Sequence, residues 1–246
     1  MLKETEMSLS IKAMSLDNWL NKVDYGYLNS NSYIPTVFAL KFINFIKLAN
    51  GTEGESHKTP PMHAAMLDRL ELAEKRQIVN LLFRGAAKTT LFGEYMILFI
   101  AAGNELPKLG LIDGLIYVSD SMENGVKSLK NNIKFRYENS PFLMAEIPDA
   151  HFTDKYLEFK NKYGNRLGVK MFGAQTGIRG TKIFGKRPRL AILDDLLSDD
   201  DAKSPTALKS IKDTIYKGIT HALDPVNRMT IFNGTPFNKE DPIVQA

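Results

Sequence analysis

Residues 78–91 read IVNLLFRGAAKTTL, and no other stretch of the chain constrains its fold as tightly. The apolar run through Phe83 suits a buried strand. Arg84-Gly85-Ala86-Ala87-Lys88-Thr89-Thr90 is a tight turn, and Leu91 to Ala102 is a second apolar run at helical spacing. Strand, tight loop, Lys-Thr, helix is the layout of a nucleotide-phosphate cradle. Backbone N–H groups at the helix start face an anion, Lys88 reaches toward the β- and γ-phosphates, and the Thr89 hydroxyl can hold Mg²⁺. The loop departs from G-x-x-x-x-G-K-[ST] at Leu82 and Ala87, where that pattern has glycine. An ordinary strand–turn–helix with an exposed lysine reads the same way, so other segments must decide.

At 246 residues the chain is one large or two small domains, with 43% apolar and 24% charged residues, as in ordinary globular proteins. It has no cysteine, which excludes disulfides and thiolate metal sites. Glu4 and Glu6 stand where a signal peptide would be basic, and no apolar core follows. The most apolar stretch, Tyr33 to Leu48, is broken by Pro35, Lys41, Asn44 and Lys47, so no membrane span is expected. The net charge of +4 is unevenly spread. Phe159 to Arg189 holds nine Lys/Arg and no acid, while Asp194 to Asp201 holds five Asp and no base. The basic stretch fits either a solvated face or contact with a polyanion such as nucleic acid.

Residues 1–59 form an expected N-terminal helical region, with helical apolar spacing at 15–20 and 37–48 and a loop at 50–56. Pro60-Pro61 precede a helix running to Leu72. From Gln77, within an expected domain of residues 60–246, the pattern becomes α/β. Strands are predicted at 77–83, 114–119, 189–193 and 228–233, and helices at 88–102, 122–138 and 205–221. Residues 156–159 and 167–172 flank Gly164-Asn165, predicting an antiparallel hairpin at a sheet edge. The alternation predicts a mostly parallel sheet with helices on both faces, whose ligands bind at the carboxyl ends of the strands.

Three further segments would end there. Leu190-Ala191-Ile192-Leu193-Asp194-Asp195 delivers two carboxylates at a strand tip. Asp194 would sit beside Mg²⁺ held by Thr89, through a water. Asp195, one methylene shorter than the more usual Glu, would orient the water attacking a γ-phosphate. Asn233, Gly234 and Thr235 end another strand with uncharged hydrogen-bonding groups that can tell triphosphate from diphosphate. Gly173 to Gly180 is a glycine-flanked loop presenting Arg179, which could stabilise phosphate charge in cis or from a neighbouring subunit, or contact DNA phosphate. Arg84, inside the phosphate loop, is a second cation for that role.

Taken in order, RGAAKTT, TGIRGTK, LAILDDLLSDDDAKSP and NGTPFNKED (with Asp241 following) resemble the large terminase subunit of tailed bacteriophages, an ATPase that packages DNA. YVSDS and PPMHAAMLDRL are similar to the family's second strand and to its helix leading toward the adenine, which makes His63 a nucleotide-site residue by resemblance. The likeness spans about residues 57 to 246 and departs from the family at Ala87 and Asp195. It implies a P-loop NTPase of the RecA-like additional-strand type, ATP and Mg²⁺ as cofactors, and the host cytoplasm as location. Double-stranded DNA, portal protein and small terminase subunit are the implied partners, with subunits ringed on the portal. It also implies that Arg84, Gly85, Ala86, Ala87, Lys88, Thr89 and Thr90 hold nucleotide, that Asp195 with Arg84 or Arg179 is catalytic, and that Asn233, Gly234 and Thr235 couple hydrolysis to movement. The family's C-terminal nuclease is expected to be absent, because no clustered acids remain before Ala246. Two other readings stay open: a superfamily 2-like helicase fragment, for which a second RecA-like domain has no room, and a non-catalytic DNA-binding or scaffold module.

Overall fold

The structure, a computed structural model, describes residues 33–51, 59–198 and 201–235. The helix predicted at 15–20, most of the loop at 50–56, Asp199, Asp200 and everything from Pro236 onward lie outside the described residues. Helix α1 is Val37–Asn50, and its first turn is capped by Thr36, whose hydroxyl accepts from the Ala39 N–H at 3.1 Å. Helix α2 is Pro61–Leu72, with proline at its first position, where a missing N–H costs nothing. Strand β1 (Gln77–Leu81) follows, then helix α3, wound as a π-helix over Thr89–Tyr95 and as an α-helix over Met96–Ala101.

The remaining strands are β2 (Gly114–Ser119), β3 (Asp149–Phe152), β4 (Tyr156–Lys160), β5 (Arg166–Gly173), β6 (Leu190–Asp194) and β7 (Met229–Gly234). Between β2 and β3 lie α4, a π turn at Met122–Val126 continued by Lys127–Glu138, and the short α5, Pro141–Glu146. Between β6 and β7, α6 runs through Pro205–Asp213, the π segment Thr214–Ile219 and Thr220–Ala222.

Seven strands form one sheet in the order β1-β7-β6-β2-β5-β4-β3. The first five pair in parallel, and β5–β4 and β4–β3 pair antiparallel. The predicted mostly parallel sheet and its edge hairpin are therefore present. The sequence reading missed β3 and α5. Asp149-Ala150-His151-Phe152 is short and poor in strand-forming residues, and it is held extended by its pairing with β4. The start of α5 was marked, by Ser140 and Pro141: the Ser140 hydroxyl accepts from the Leu143 N–H at 3.2 Å.

Strand side chains alternate between two cores, as the two-residue period requires. Ile78, Leu115, Tyr117, Leu190, Ile192, Met229 and Ile231 face α1 to α5, while Ile116, Val118, Ala191, Leu193 and Phe232 face α6. Helices thus cover both faces. The α1 helix, which the sequence reading put in the N-terminal region, packs into the first of these cores. α3 is buried on every side, which its nearly unbroken apolar sequence demands. Its one acid, Glu94, is buried as well and is paired with Arg136 at 2.5 Å and with the Asn132 amide at 2.9 Å. Phe99 anchors the far end of α3: the rings of Phe42, Phe45 and Phe38 on α1 lie 4.7, 5.3 and 5.8 Å from it. Phe99→Ala is expected to lower the unfolding free energy by about 3–5 kcal/mol in urea titrations, because the α1 rings cannot collapse into the space.

Candidate functional site

Because β1, β6 and β7 run parallel, their carboxyl ends meet at one end of the sheet, and the segments that follow them converge there. Between those segments lies an open cavity of about 360 Å³, lined by Arg84, Gly85, Ala87, Lys88, Thr89, Asp195, Leu197 and Thr235. The sequence had singled out all of these except Leu197.

The loop from Leu82 to Lys88 turns through two left-handed residues, Gly85 at φ +86° and Ala87 at φ +53°. Ala87 therefore adopts the backbone shape for which glycine is the usual choice, at a cost of roughly 1–2 kcal/mol. Several contacts hold the loop in place. The Leu91 N–H donates to the Ala87 carbonyl at 2.9 Å, and His63 on α2 lies 2.9 Å from the Ala86 carbonyl through Nε2. A carbonyl only accepts, so Nε2 carries the proton. His63 thus braces the loop and does not line the cavity; Ala86 and Thr90 do not line it either.

Lys88 borders the cavity yet is only 5% exposed. Its ammonium donates to the carbonyls of Leu82 at 3.3 Å and Phe83 at 3.1 Å, and to the Thr235 hydroxyl at 3.1 Å. All three partners are neutral, so the charge is oriented but not cancelled, which favours an anion in the cavity. The bond to Thr235 also ties the phosphate-loop lysine to the tip of β7.

Beneath the loop, register places three polar residues side by side. Asn80 of β1 pairs with Asn233 of β7, and Asn233 with Asp194 of β6. All three are buried. The Asn80 amide donates to Asn233 Oδ1 at 2.9 Å, and the Tyr117 hydroxyl of β2 donates to Asp194 Oδ2 at 2.9 Å. Asn80 Oδ1, Asn233 Nδ2 and Asp194 Oδ1 have no hydrogen-bond partner among the described residues. Burial pushes the Asp194 carboxyl up to about 6, and the charge of Asp195 adds to the shift. The nearby hydroxyl of Thr89, the phenol of Tyr117 and the amide of Asn233 oppose it, although of these only the phenol is set at hydrogen-bonding geometry to the carboxylate.

The pair Asp194–Asp195 is divided by environment. Asp194 is 1% exposed, whereas Asp195 is exposed, lines the cavity and stands at φ +41°. Asp tolerates that left-handed shape better than most residues. The Asp195 N–H donates to the Asn233 carbonyl at 2.9 Å, fixing the bend that swings its side chain out of the strand direction. A buried carboxylate oxygen without a partner, next to a threonine hydroxyl, is a donor set that suits Mg²⁺, which takes one or two protein oxygens and keeps waters and phosphate oxygens for the rest.

Arg84 is exposed and lines the cavity. Arg179 is exposed on the loop after β5 and is not among the lining residues. Gly234 is buried at the end of β7, and its carbonyl accepts from the Leu82 N–H at 3.1 Å. Sequence reasoning missed Asn80 and Tyr117. Asn80 carried a signal, an amide inside an apolar strand. Tyr117 lies in the YVSDS segment, but nothing there marked its hydroxyl, since an aromatic residue suits any buried strand.

A strand inserted between the loop-bearing β1 and the acid-bearing β6 is the mark of the additional-strand order, and the fold is that of a RecA-like P-loop NTPase. Among solved structures the chain is similar to the large terminase ATPase domain of Thermus phage P74-26, with TM-score 0.51 and 11% identity over 85% of this chain and 73% of that one. It is also similar to the large terminase of bacteriophage HK97, with TM-score 0.54 and 18% identity over 84% of this chain and 40% of that longer one. At such identities the likeness establishes the shared fold. No protein-family model and no curated protein matches the chain. Among the described residues no helix is long and apolar enough to cross a membrane.

Two outcomes follow from this geometry. A raised carboxyl pKa means that the folded chain holds the Asp194 proton more tightly than the unfolded chain does. Its contribution to stability therefore falls as pH rises from about 4 to about 6, and the full penalty persists above that. Asp194→Asn is expected to raise the melting temperature near pH 8 in metal-free buffer, by up to about 3 kcal/mol in stability, with the gain vanishing toward pH 4. Ala87→Gly is expected to leave stability unchanged or up to about 1 kcal/mol higher by chemical denaturation, although alanine-to-glycine changes elsewhere cost that much.

Proposed function

We propose that this chain is the ATPase motor domain of a viral DNA-packaging terminase, hydrolysing Mg-ATP to move double-stranded DNA into a procapsid. The observation that carries the proposal is the convergence of Lys88, Thr89, Asp195 and Thr235 on one cavity at the carboxyl ends of β1, β6 and β7. The order of the sequence motifs and the fold shared with two phage large terminases support it.

In this reading the phosphates lie in the loop Arg84 to Thr90, against backbone N–H groups at the start of α3. Lys88 binds between the β- and γ-phosphates, exchanging neutral carbonyl partners for charged oxygens. Mg²⁺, held by Thr89 and Asp194, would neutralise charge on the β- and γ-phosphate oxygens. Asp195, exposed at the cavity wall, orients the attacking water and takes its proton. Arg84 stabilises phosphate charge from within the same subunit, and Arg179 is available to a neighbouring subunit's site. Thr235 senses the γ-phosphate through Lys88, and β7 passes that state to Asn233 and to the backbone of Asp195.

Portal protein and small terminase subunit would be the assembly partners, with several copies ringed on the portal. Residues 60–246 would form the P-loop ATPase domain and residues 1–59 an N-terminal helical region. The basic segment Phe159 to Arg189 would provide the DNA contacts.

Lys88→Ala is expected to abolish ATP turnover in a phosphate-release assay while leaving the circular dichroism spectrum and the melting transition intact. Turnover at the wild-type rate in that variant would sink the assignment.

A further inference from the structure

We propose that Tyr117 is a positioning residue for the Asp194 carboxylate: its phenol fixes one carboxylate oxygen to the protein and so leaves the other for the divalent cation. The inference rests on the ATPase reading above and adds to it a residue of the YVSDS segment that had no role in the sequence reading.

Tyr117 sits in the middle of β2 with its ring in the core under α3, fully buried. A phenol at that depth needs a hydrogen-bond partner. Its register neighbour on β6 is Ile192. Asp194 is two residues further along β6, on the same face, which is the diagonal distance an aromatic side chain can span. The hydroxyl meets Oδ2 at 2.9 Å.

A second contact brings the cation-binding threonine into the same cluster. A side chain begun at Gly93, in the π-wound turn of α3, would have its first carbon 3.6 Å from the Tyr117 ring and 3.6 Å from the Thr89 methyl. The Tyr117 ring and the Thr89 methyl therefore both flank Gly93. The nearest atom to such a carbon would be Leu129 Cδ1 of α4, at 2.9 Å, so the lack of a side chain at Gly93 makes room for Leu129 beside the ring.

The two carboxylate oxygens are unequal as a result. Oδ2 is committed to the phenol, while Oδ1 has no partner among the described residues. A hydrogen bond at one oxygen restrains the rotation of the carboxylate and so narrows the directions in which the other is presented. Partners of this kind behind a metal ligand typically change metal affinity by about 10–100-fold when they are removed.

Tyr117→Phe removes the donor and keeps the ring. The readout is the affinity for a fluorescent N-methylanthraniloyl ADP, titrated with Mg²⁺ and compared with EDTA. The expected result is an affinity in EDTA within about twofold of wild type and a half-saturating Mg²⁺ concentration raised about 10-fold or more. Adding Asp194→Asn to Tyr117→Phe should raise it no further than Asp194→Asn alone, because both changes act through one carboxylate. A half-saturating Mg²⁺ concentration unchanged in folded Tyr117→Phe, with only a lower melting temperature, would overturn the proposal and leave Tyr117 a packing residue. If Tyr117→Phe fails to fold, Tyr117→Met fills the same space without a hydroxyl and is read by the same titration and the same criteria. Wild-type protein whose nucleotide affinity ignores Mg²⁺ would instead overturn the ATPase reading itself.

Discussion

The site depends on the parallel pairing of β7 between β1 and β6. That register sets Asn80, Asn233 and Asp194 shoulder to shoulder and carries the loops that follow each strand to a common end. A slip of one residue would turn every side chain of β7 to the opposite face, removing Asn233 from the row and Thr235 from Lys88. The long connection holding α6 on the second face is what allows β7 to return in parallel, as a crossover must.

Around this row the protein tolerates arrangements that an inert core would avoid. Lys88, Glu94 and Asp194 are buried charges, and Ala87 and Asp195 hold left-handed backbone shapes. Glu94 is fully answered by Arg136 and Asn132, so it stiffens the junction of α3 and α4. Asp194 is answered at one oxygen only, and Lys88 only by neutral groups. Both groups sit at the cavity or directly beneath it, which is where charge is to be bound. The surrounding apolar packing, the α1 phenylalanines against Phe99 among it, offsets that cost.

Much of this was legible in the sequence. Short apolar runs ending in Arg-Gly, Asp-Asp and Asn-Gly-Thr marked β1, β6 and β7 to within a residue or two, and Gly164-Asn165 marked the β4–β5 hairpin. What escaped was set by distant partners. β3 is a strand only because β4 is there to pair with it. The π turns at the starts of α3 and α4 have no composition signal, since one extra residue in a turn leaves the apolar spacing almost intact. Tyr117 looked like any strand aromatic, because its hydroxyl acquires meaning only from a carboxylate 77 residues away.

The sequence by itself determined the kinds of chemistry available and the ends of the strands that carry them, because side-chain periodicity and turn residues act over a few positions. Only the tertiary structure decided which groups meet. It separated two adjacent aspartates into one buried and one exposed, because successive residues at a strand tip lie on opposite sides and the backbone then bends at Asp195. It set Arg84 at the cavity and Arg179 outside it, and it gave an alanine the shape of a glycine through the contacts bracing the loop at Ala86 and Ala87. Such outcomes depend on strand order and register, which join residues far apart in the chain and leave no mark in the local pattern around any of them.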